Sequence, residues 1–391
     1  MKRLFLMLTL FALIFSFGFQ VFASEGGEIA EKKSEIVMSG DKFNARSVVL
    51  MEAKTGEVLL SNNEKSSYSP ASVTKIMTLL LVAESISEGR ISPNETVTIS
   101  SYASSMGGSQ VFLREGEEFL LEELIKCTVI ASANDAAVAL AEKVAGSEDE
   151  FVEKMNKRAI ELGLEGTNFE NVTGLDDDTV NHVTSALDIA IMSRELIKHD
   201  VIMKYASLWQ DSIRDGEFIL TNTNRLVRYY NGCTGLKTGS TDKAGSCISV
   251  TAERNGMTLI AVVMGAESSN ERNEIAKEML DFGFASFALF DYIGEDLGDV
   301  PLIFGKKDSV SIYSEDFSCI VGKGDLPLID SVTDIREDIS APIASGTLVG
   351  KIEYFLSGEK IGESKIYASE DIRKISFTEL YFRILCGVLN K

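Results

Sequence analysis

The chain has 391 residues, 45% of them hydrophobic and 25% charged, with only five prolines; it is too long for one ordinary core and too apolar for disorder, so two domains are expected. Thirty-eight basic against 59 acidic residues give a formal net charge of -21. That balance repels polyanions, which excludes nucleic acid as a partner and disfavours adsorption to anionic lipid by charge alone.

In chain order, the first segment is Met1-Lys2-Arg3, an apolar run over residues 4–22, and Ala23 ahead of Ser24. A charged start, an apolar middle and a small last residue describe a secretory signal over residues 1–23, which places the bulk of the protein beyond the cytoplasmic membrane. The run is also nearly long enough to span a bilayer, so a retained anchor is the alternative. Residues 24–44 are acidic and polar with no sustained period and are expected to form a flexible lead-in. Residues 47–60 read as two strands joined at Lys54-Thr55-Gly56.

Next comes Ser69-Pro70-Ala71-Ser72-Val73-Thr74-Lys75, ahead of an apolar helical period over residues 76–88. With Pro70 in a first helical turn, Ser72 and Lys75 fall about one turn apart on one face. That is the geometry of a nucleophile beside its own base. A helix over residues 121–130 and another opening after Ser132-Ala133-Asn134 leave that polar triplet in the joint between two apolar segments. Residues 151–162 form an amphipathic helix, and the turn-rich stretch 168–178 carries Asn171-Val172-Thr173-Gly174-Leu175 before His182 and a helix over residues 185–198.

Around Asn222, Asn224 and Tyr229 the chain is polar and loop-like. It then reads strand, polar turn, strand over residues 232–250, with Lys237-Thr238-Gly239-Ser240 on the first strand. A continuous β-branched run over 257–265 is a core strand, and a helix over 271–282 closes a first domain spanning residues 45–290. From 291 to 375, short alternating segments separated by Gly-containing turns predict a small all-β domain, expected as a sandwich. Residues 376–391 carry Phe377, Leu380, Tyr381, Ile384, Leu385, Val388 and Leu389 on one helical stripe, a face that needs a partner or a membrane surface to lie on.

The five cysteines, Cys127, Cys233, Cys247, Cys319 and Cys386, lack the paired spacing of a zinc site, and no cofactor is implied. Cys233 and Cys247 flank the hairpin and are either bridged or two buried thiols. The two histidines, His182 and His199, lie near no Gly-x-Ser-x-Gly elbow, so a Ser-His-Asp centre is disfavoured and His182 is expected to be structural.

Ser72-Val73-Thr74-Lys75, Ser132-Ala133-Asn134 and Lys237-Thr238-Gly239 occur in the order shared by penicillin-binding proteins and class A β-lactamases. Their flanking residues, the Asn-Val-Thr-Gly-Leu stretch, the trailing β segment and the terminal amphipathic helix resemble the low-molecular-mass serine D-alanyl-D-alanine carboxypeptidases. The resemblance runs from about residue 40 to the C-terminus. It implies an α/β (α+β) transpeptidase-like fold, an antiparallel sheet flanked by helices and followed by a small all-β domain. It also implies removal of the terminal D-alanine from peptidoglycan pentapeptide stems ending in D-Ala-D-Ala, with β-lactams as covalent inhibitors and the terminal helix as membrane anchor.

By that resemblance, Ser72 attacks, Lys75 is its base and Ser132 relays the proton to the leaving amine. Asn134 hydrogen-bonds the substrate's peptide group, Lys237 supplies positive potential, and Thr238 contacts the terminal carboxylate. Gly239 permits close approach of the strand, and the Ser72 and Ser240 amides hold the oxyanion. Arg272 aligns with an arginine that binds the same carboxylate, and a surface arginine at a helix start is its alternative. A class A β-lactamase adds Glu-x-x-x-Asn between the second and third motifs, and none occurs between Asp135 and Leu236. A silent peptidoglycan-binding scaffold is the alternative from another class, although every acting side chain is present.

Overall fold

A computed structural model describes residues 38–177 and 179–389. The expected signal over residues 1–23, and residues 24–37 of the lead-in, lie outside the described residues. The described end of the lead-in is not a free tail. Gly40–Lys42 forms a 3₁₀ turn, Phe43 is buried, Lys42 pairs with Glu278, and Asn44 donates to Glu271 Oε1 at 2.9 Å. One buried aromatic and two long-range polar contacts are enough to dock a short polar segment that has no period of its own.

Strands β1 (Ser47–Glu52) and β2 (Val58–Asn62) form the expected hairpin. The helical layer then follows: α1 (Lys75–Ser87), α2 (Ser101–Ser104), α3 (Leu121–Ile130), α4 (Asn134–Ala145), α5 (Glu148–Glu161), α6 (Ala186–Leu196) and α7 (Asp200–Ala206), with β3 (Thr96–Thr98) paired to β4 (Glu118–Leu120) ahead of α3. A second small ribbon, β5 (Gln210–Ile213) with β6 (Phe218–Thr221), precedes the one-turn helix α8 (Leu226–Tyr229). Strands β7 (Cys233–Thr241), β8 (Gly245–Arg254) and β9 (Met257–Ala266) complete an antiparallel five-stranded sheet in the order β2-β1-β9-β8-β7.

Helix α9 (Ser269–Ser286) packs on β8 and β9, while α6 packs on β1 and β9. Alternation sorts the residues of the central strands. Val49, Met51, Ile260, Val262 and Met264 join the helical core, whereas Leu50 and Leu259 approach Gly283 of α9. Both faces are therefore covered, which is why β1 and β9 read as nearly continuous apolar runs.

The second unit begins at β10 (Phe287–Tyr292), which straddles the expected boundary at 290–291 and pairs with β13 (Phe317–Gly322). Its larger sheet has the order β11-β12-β16-β15-β14, from β11 (Asp296–Pro301), β12 (Ser309–Ser314), β14 (Ile329–Ile335), β15 (Leu348–Leu356) and β16 (Glu359–Ala368). Val310, Ile312, Val349, Ile352, Tyr354 and Ile366 form its core. The terminal helix α10 spans Phe377–Leu389.

Cys233 and Cys247 are not bridged. In the β7–β8 register Cys233 faces Ala252 and Cys247 faces Gly239, so the two thiols sit toward opposite ends of the hairpin. None of the five cysteines is in a disulfide among the described residues, and burial pushes Cys127, Cys233 and Cys247 up in pKa.

Candidate active site

Ser72 lies in a 3₁₀ turn, Ala71–Thr74, that leads into α1, rather than in an α-helical turn as the Pro70 spacing predicts. The residue before it, Ala71, is buried with φ +48°, a left-handed conformation that an alanine adopts only when its surroundings impose it. Those surroundings are identifiable. Thr74 Oγ1 donates to Ala71 O at 2.8 Å, and His182 Nε2 lies 2.8 Å from Thr74 Oγ1. The Glu170 amide donates to His182 Nδ1 at 3.0 Å, so Nδ1 is the acceptor and Nε2 carries the hydrogen. Burial lowers the His182 pKa to about 4, which keeps this neutral tautomer in place. Gly174 closes the arrangement: a side chain there would collide with Ala71 O at 1.8 Å. His182 is thus structural, as expected, and its structural task is to hold the turn that presents Ser72.

Lys75 is fully buried, and its Nζ has three partners: Ser72 Oγ at 3.0 Å, Asn134 Oδ1 at 2.6 Å and the Thr173 carbonyl at 2.8 Å. Two of these are pure acceptors, so they claim two Nζ hydrogens in either charge state. The third direction points at Ser72. When Lys75 is neutral its lone pair is therefore aimed at the serine hydroxyl. Burial and then the nearby Lys237 charge push its pKa well below that of a free lysine, against an upward pull from Asp135.

Asn134 is 1% exposed. Its oxygen accepts from Lys75 and its Nδ2 donates to Gly107 O at 2.7 Å, leaving one N–H of the amide unassigned. The side chain expected to clamp the substrate thus orients the lysine and ties down the loop through Gly107. Ser132, also buried, has φ +61° and accepts from Lys237 Nζ at 2.8 Å. Burial and the Arg272 charge lower the Lys237 pKa to about 7.

Strand β7 passes directly beside the Ser72 turn. A Cβ on Gly239 would sit 2.7 Å from Ser72 N and 2.9 Å from Val73 N, so only glycine fits there. Ser240 and Thr238 follow and precede it on the same strand, and Thr238 Oγ1 donates to Thr223 Oγ1 at 2.8 Å. Arg272, in the first turn of α9, is 4% exposed. It donates to Asn273 Oδ1 from Nε and Nη2 at 3.1 and 2.9 Å and to Cys247 O from Nη1 at 3.3 Å, with no carboxylate paired to it among the described residues. Burial lowers its pKa to about 10. It is not a surface arginine.

Ser72, Ser132, Thr238, Gly239, Ser240 and Arg272 line one cavity of about 900 Å³. Thr173, Thr223 and Asn273 take part in its framework and carry no sequence signal beyond their neighbours: Asn171, whose Oδ1 accepts from the Gly174 amide at 2.7 Å, marks the turn that presents the Thr173 carbonyl.

This arrangement can carry out acyl transfer, and the comparisons with known proteins agree. A family model described as D-alanyl-D-alanine carboxypeptidase matches residues 33–268, and one described as penicillin-binding protein 5, C-terminal domain, matches residues 292–374. The chain is 40% identical over 384 residues to D-alanyl-D-alanine carboxypeptidase DacF of Bacillus subtilis, with 96% of each covered. Penicillin-binding protein 5 of Haemophilus influenzae has a TM-score of 0.75 at 30% identity, covering 86% of this chain and 100% of that one. Penicillin-binding protein D2 of Listeria monocytogenes, solved in its ampicillin-bound form, has a TM-score of 0.57 at 28% identity, covering 62% and 98%. The three motifs, the fold that gathers them and these matches lead to one conclusion: the chain belongs to the D-alanyl-D-alanine carboxypeptidase family.

Proposed function

We propose that this carboxypeptidase works through an acyl-enzyme on Ser72, with Lys75 as its general base. The observation that carries the proposal is the Lys75 geometry, two pure acceptors and the serine hydroxyl around one buried nitrogen. Neutral Lys75 takes the Oγ proton as Oγ bonds to the carbonyl carbon of the penultimate D-alanine. The Ser72 and Ser240 amides hold the oxyanion, for which the close passage of Gly239 provides the room. Collapse breaks the C–N bond, and the proton reaches the leaving amine through Ser132, which Lys237 orients. Water then hydrolyses the Ser72 ester. Thr238 and Arg272 receive the terminal carboxylate, and a buried guanidinium with no ion pair among the described residues supports that role.

A β-lactam presents the same acyl group and carboxylate and is expected to acylate Ser72. For location, we infer secretion and attachment to a membrane surface through α10. The helix exposes Phe377, Tyr381, Phe382, Ile384 and Leu385, while Arg383 ties it to Asp308 and to the Lys306 carbonyl. Among the described residues no helix is long and apolar enough to cross a membrane, so α10 would lie in the interface. Incubation with a muramyl pentapeptide, followed by mass analysis, tests the chemistry: loss of one alanine is expected, and an intact peptide overturns it.

A further inference from the structure

The 900 Å³ cavity extends well beyond the groups that the mechanism uses. Its far wall is the stretch from Thr221 to Leu226, in which exposure alternates: Thr221, Thr223 and Arg225 are exposed, and Asn222, Asn224 and Leu226 are buried. The two asparagines pin it. Asn222 Nδ2 donates to the Ala206 and Leu208 carbonyls at 3.2 and 2.8 Å, and Asn224 Nδ2 donates to Gly235 O at 2.9 Å. Their oxygens accept the Asn224 and Leu226 amides at 2.8 and 3.0 Å. What looks like a polar loop is a fixed ledge, and all three of its outward residues line the cavity.

Thr223 bonds to Thr238, so the ledge runs alongside the carboxylate contact, and Arg225 is the next outward side chain. The Arg225 side chain has no hydrogen bond or ion pair among the described residues, and its carbonyl accepts from the Arg228 amide at 3.1 Å. Arg228, one turn on, stacks instead on Trp209 and Tyr229, with its guanidinium 5.2 and 5.5 Å from the ring centres. Although the chain carries 59 acidic residues, none among the described residues lines this cavity, whereas Arg225 and Arg272 both do. The Arg225 charge also contributes to the lowered pKa of Arg272. A carboxylate offers about four acceptor positions. Arg272 has already given three of its five N–H groups to Asn273 and Cys247, so with the Thr238 hydroxyl it leaves acceptor capacity unfilled.

We propose that Arg225 is a further substrate-binding residue of this cavity, which recognises the terminal carboxylate together with Thr238 and Arg272. This rests on the carboxypeptidase chemistry proposed above. Recognition by two guanidiniums makes the enzyme discriminate strongly between a free C-terminus and an uncharged one.

The test compares wild type, Arg225→Gln and Arg225→Lys on an acylated tripeptide ending in D-Ala-D-Ala and on its C-terminal carboxamide. In Arg225→Gln the KM for the free acid is expected to rise about tenfold or more with little change in kcat, while the carboxamide is unaffected. Arg225→Lys should recover part of the loss. The preference for acid over amide therefore collapses only where the charge is removed, and thermal unfolding stays unchanged because Arg225 is exposed. An unchanged preference in Arg225→Gln, or equal losses on both peptides, overturns the role of Arg225 and leaves the mechanism standing. Wild-type protein that cleaves neither peptide overturns the mechanism and this proposal with it.

Discussion

The catalytic cavity and the C-terminal β unit treat charge and backbone in opposite ways. In the β unit, Lys360 pairs with Glu353 and Glu363, and Lys307 with Glu370, all near the surface, where such pairs contribute little. Its positive-φ non-glycine residues are Ser357, in a Ser357-Gly358 hairpin turn where that conformation is ordinary, and the exposed Phe304. Around Ser72 the cations Lys75, Lys237 and Arg272 are buried without ion-pair partners among the described residues, and the positive-φ residues Ala71 and Ser132 are buried alanine and serine. Strain and uncompensated charge in one place are expected where a site must be set before its substrate arrives. The β unit has no such task, and both of its positive-φ non-glycine residues are exposed.

The comparison can be broken most severely at Ser72 and Lys75. Ser72→Ala should lower acylation by a fluorescent penicillin by about 10⁴-fold or more, and Lys75→Arg by about 10³-fold, since arginine keeps its proton. Labelling of Lys75→Arg at close to the wild-type rate would remove the lysine from the mechanism.

A smaller effect sharpens the electrostatic half. Acylation should rise with pH as Lys75 loses its proton and fall above about pH 7 as Lys237 does. Lys237→Arg keeps its charge, so the alkaline limb should disappear from its pH–rate profile. A limb unchanged in that variant assigns it to another group.

The backbone half is tested at His182. Its pKa of about 4 lies below the unfolded value of 6.5, so between those limits the unfolded chain binds more protons and stability falls as pH drops. The swing amounts to roughly 3 kcal/mol at most. Denaturant unfolding of His182→Gln at pH 7 and pH 4.5 should show a smaller acid-side loss than wild type, with acylation down about tenfold as the hold on Ala71 loosens. An identical pH dependence would mean that other groups carry it.

The smallest effect on turnover belongs to the far end of the molecule. Removal of residues 376–391 should leave peptide hydrolysis within about twofold, because no described residue of α10 lines the cavity, and should release the protein from lipid vesicles in a flotation assay. Vesicle binding that survives the deletion would place attachment elsewhere.

What the sequence made legible follows from how local each signal is. Ser72 and Lys75 are three residues apart, and the apolar period of α1 locates them; Lys237-Thr238-Gly239 sits on a strand between two turns. The Thr173 carbonyl escaped notice because a backbone oxygen has no residue type, and it reaches Lys75 across 98 positions. Asn222 and Asn224 looked like solvated loop, since an amide bonded to buried backbone and one bonded to water have the same letter. Strand β14 was invisible for the converse reason: it is an edge strand with five consecutive exposed residues, so no alternation marks it. The Cys233–Cys247 alternative was settled by register, which sequence spacing does not encode.

Arg272 also has a thermodynamic consequence. Burying a guanidinium without an ion partner is a cost that the folded protein carries and the unfolded chain does not. Any small carboxylate that binds the folded state alone returns part of that cost as added stability, about 2.7 kcal/mol at a hundred times its Kd. The released product, D-alanine, is such a carboxylate, so a melting curve taken in its presence reports on the site without any turnover at all.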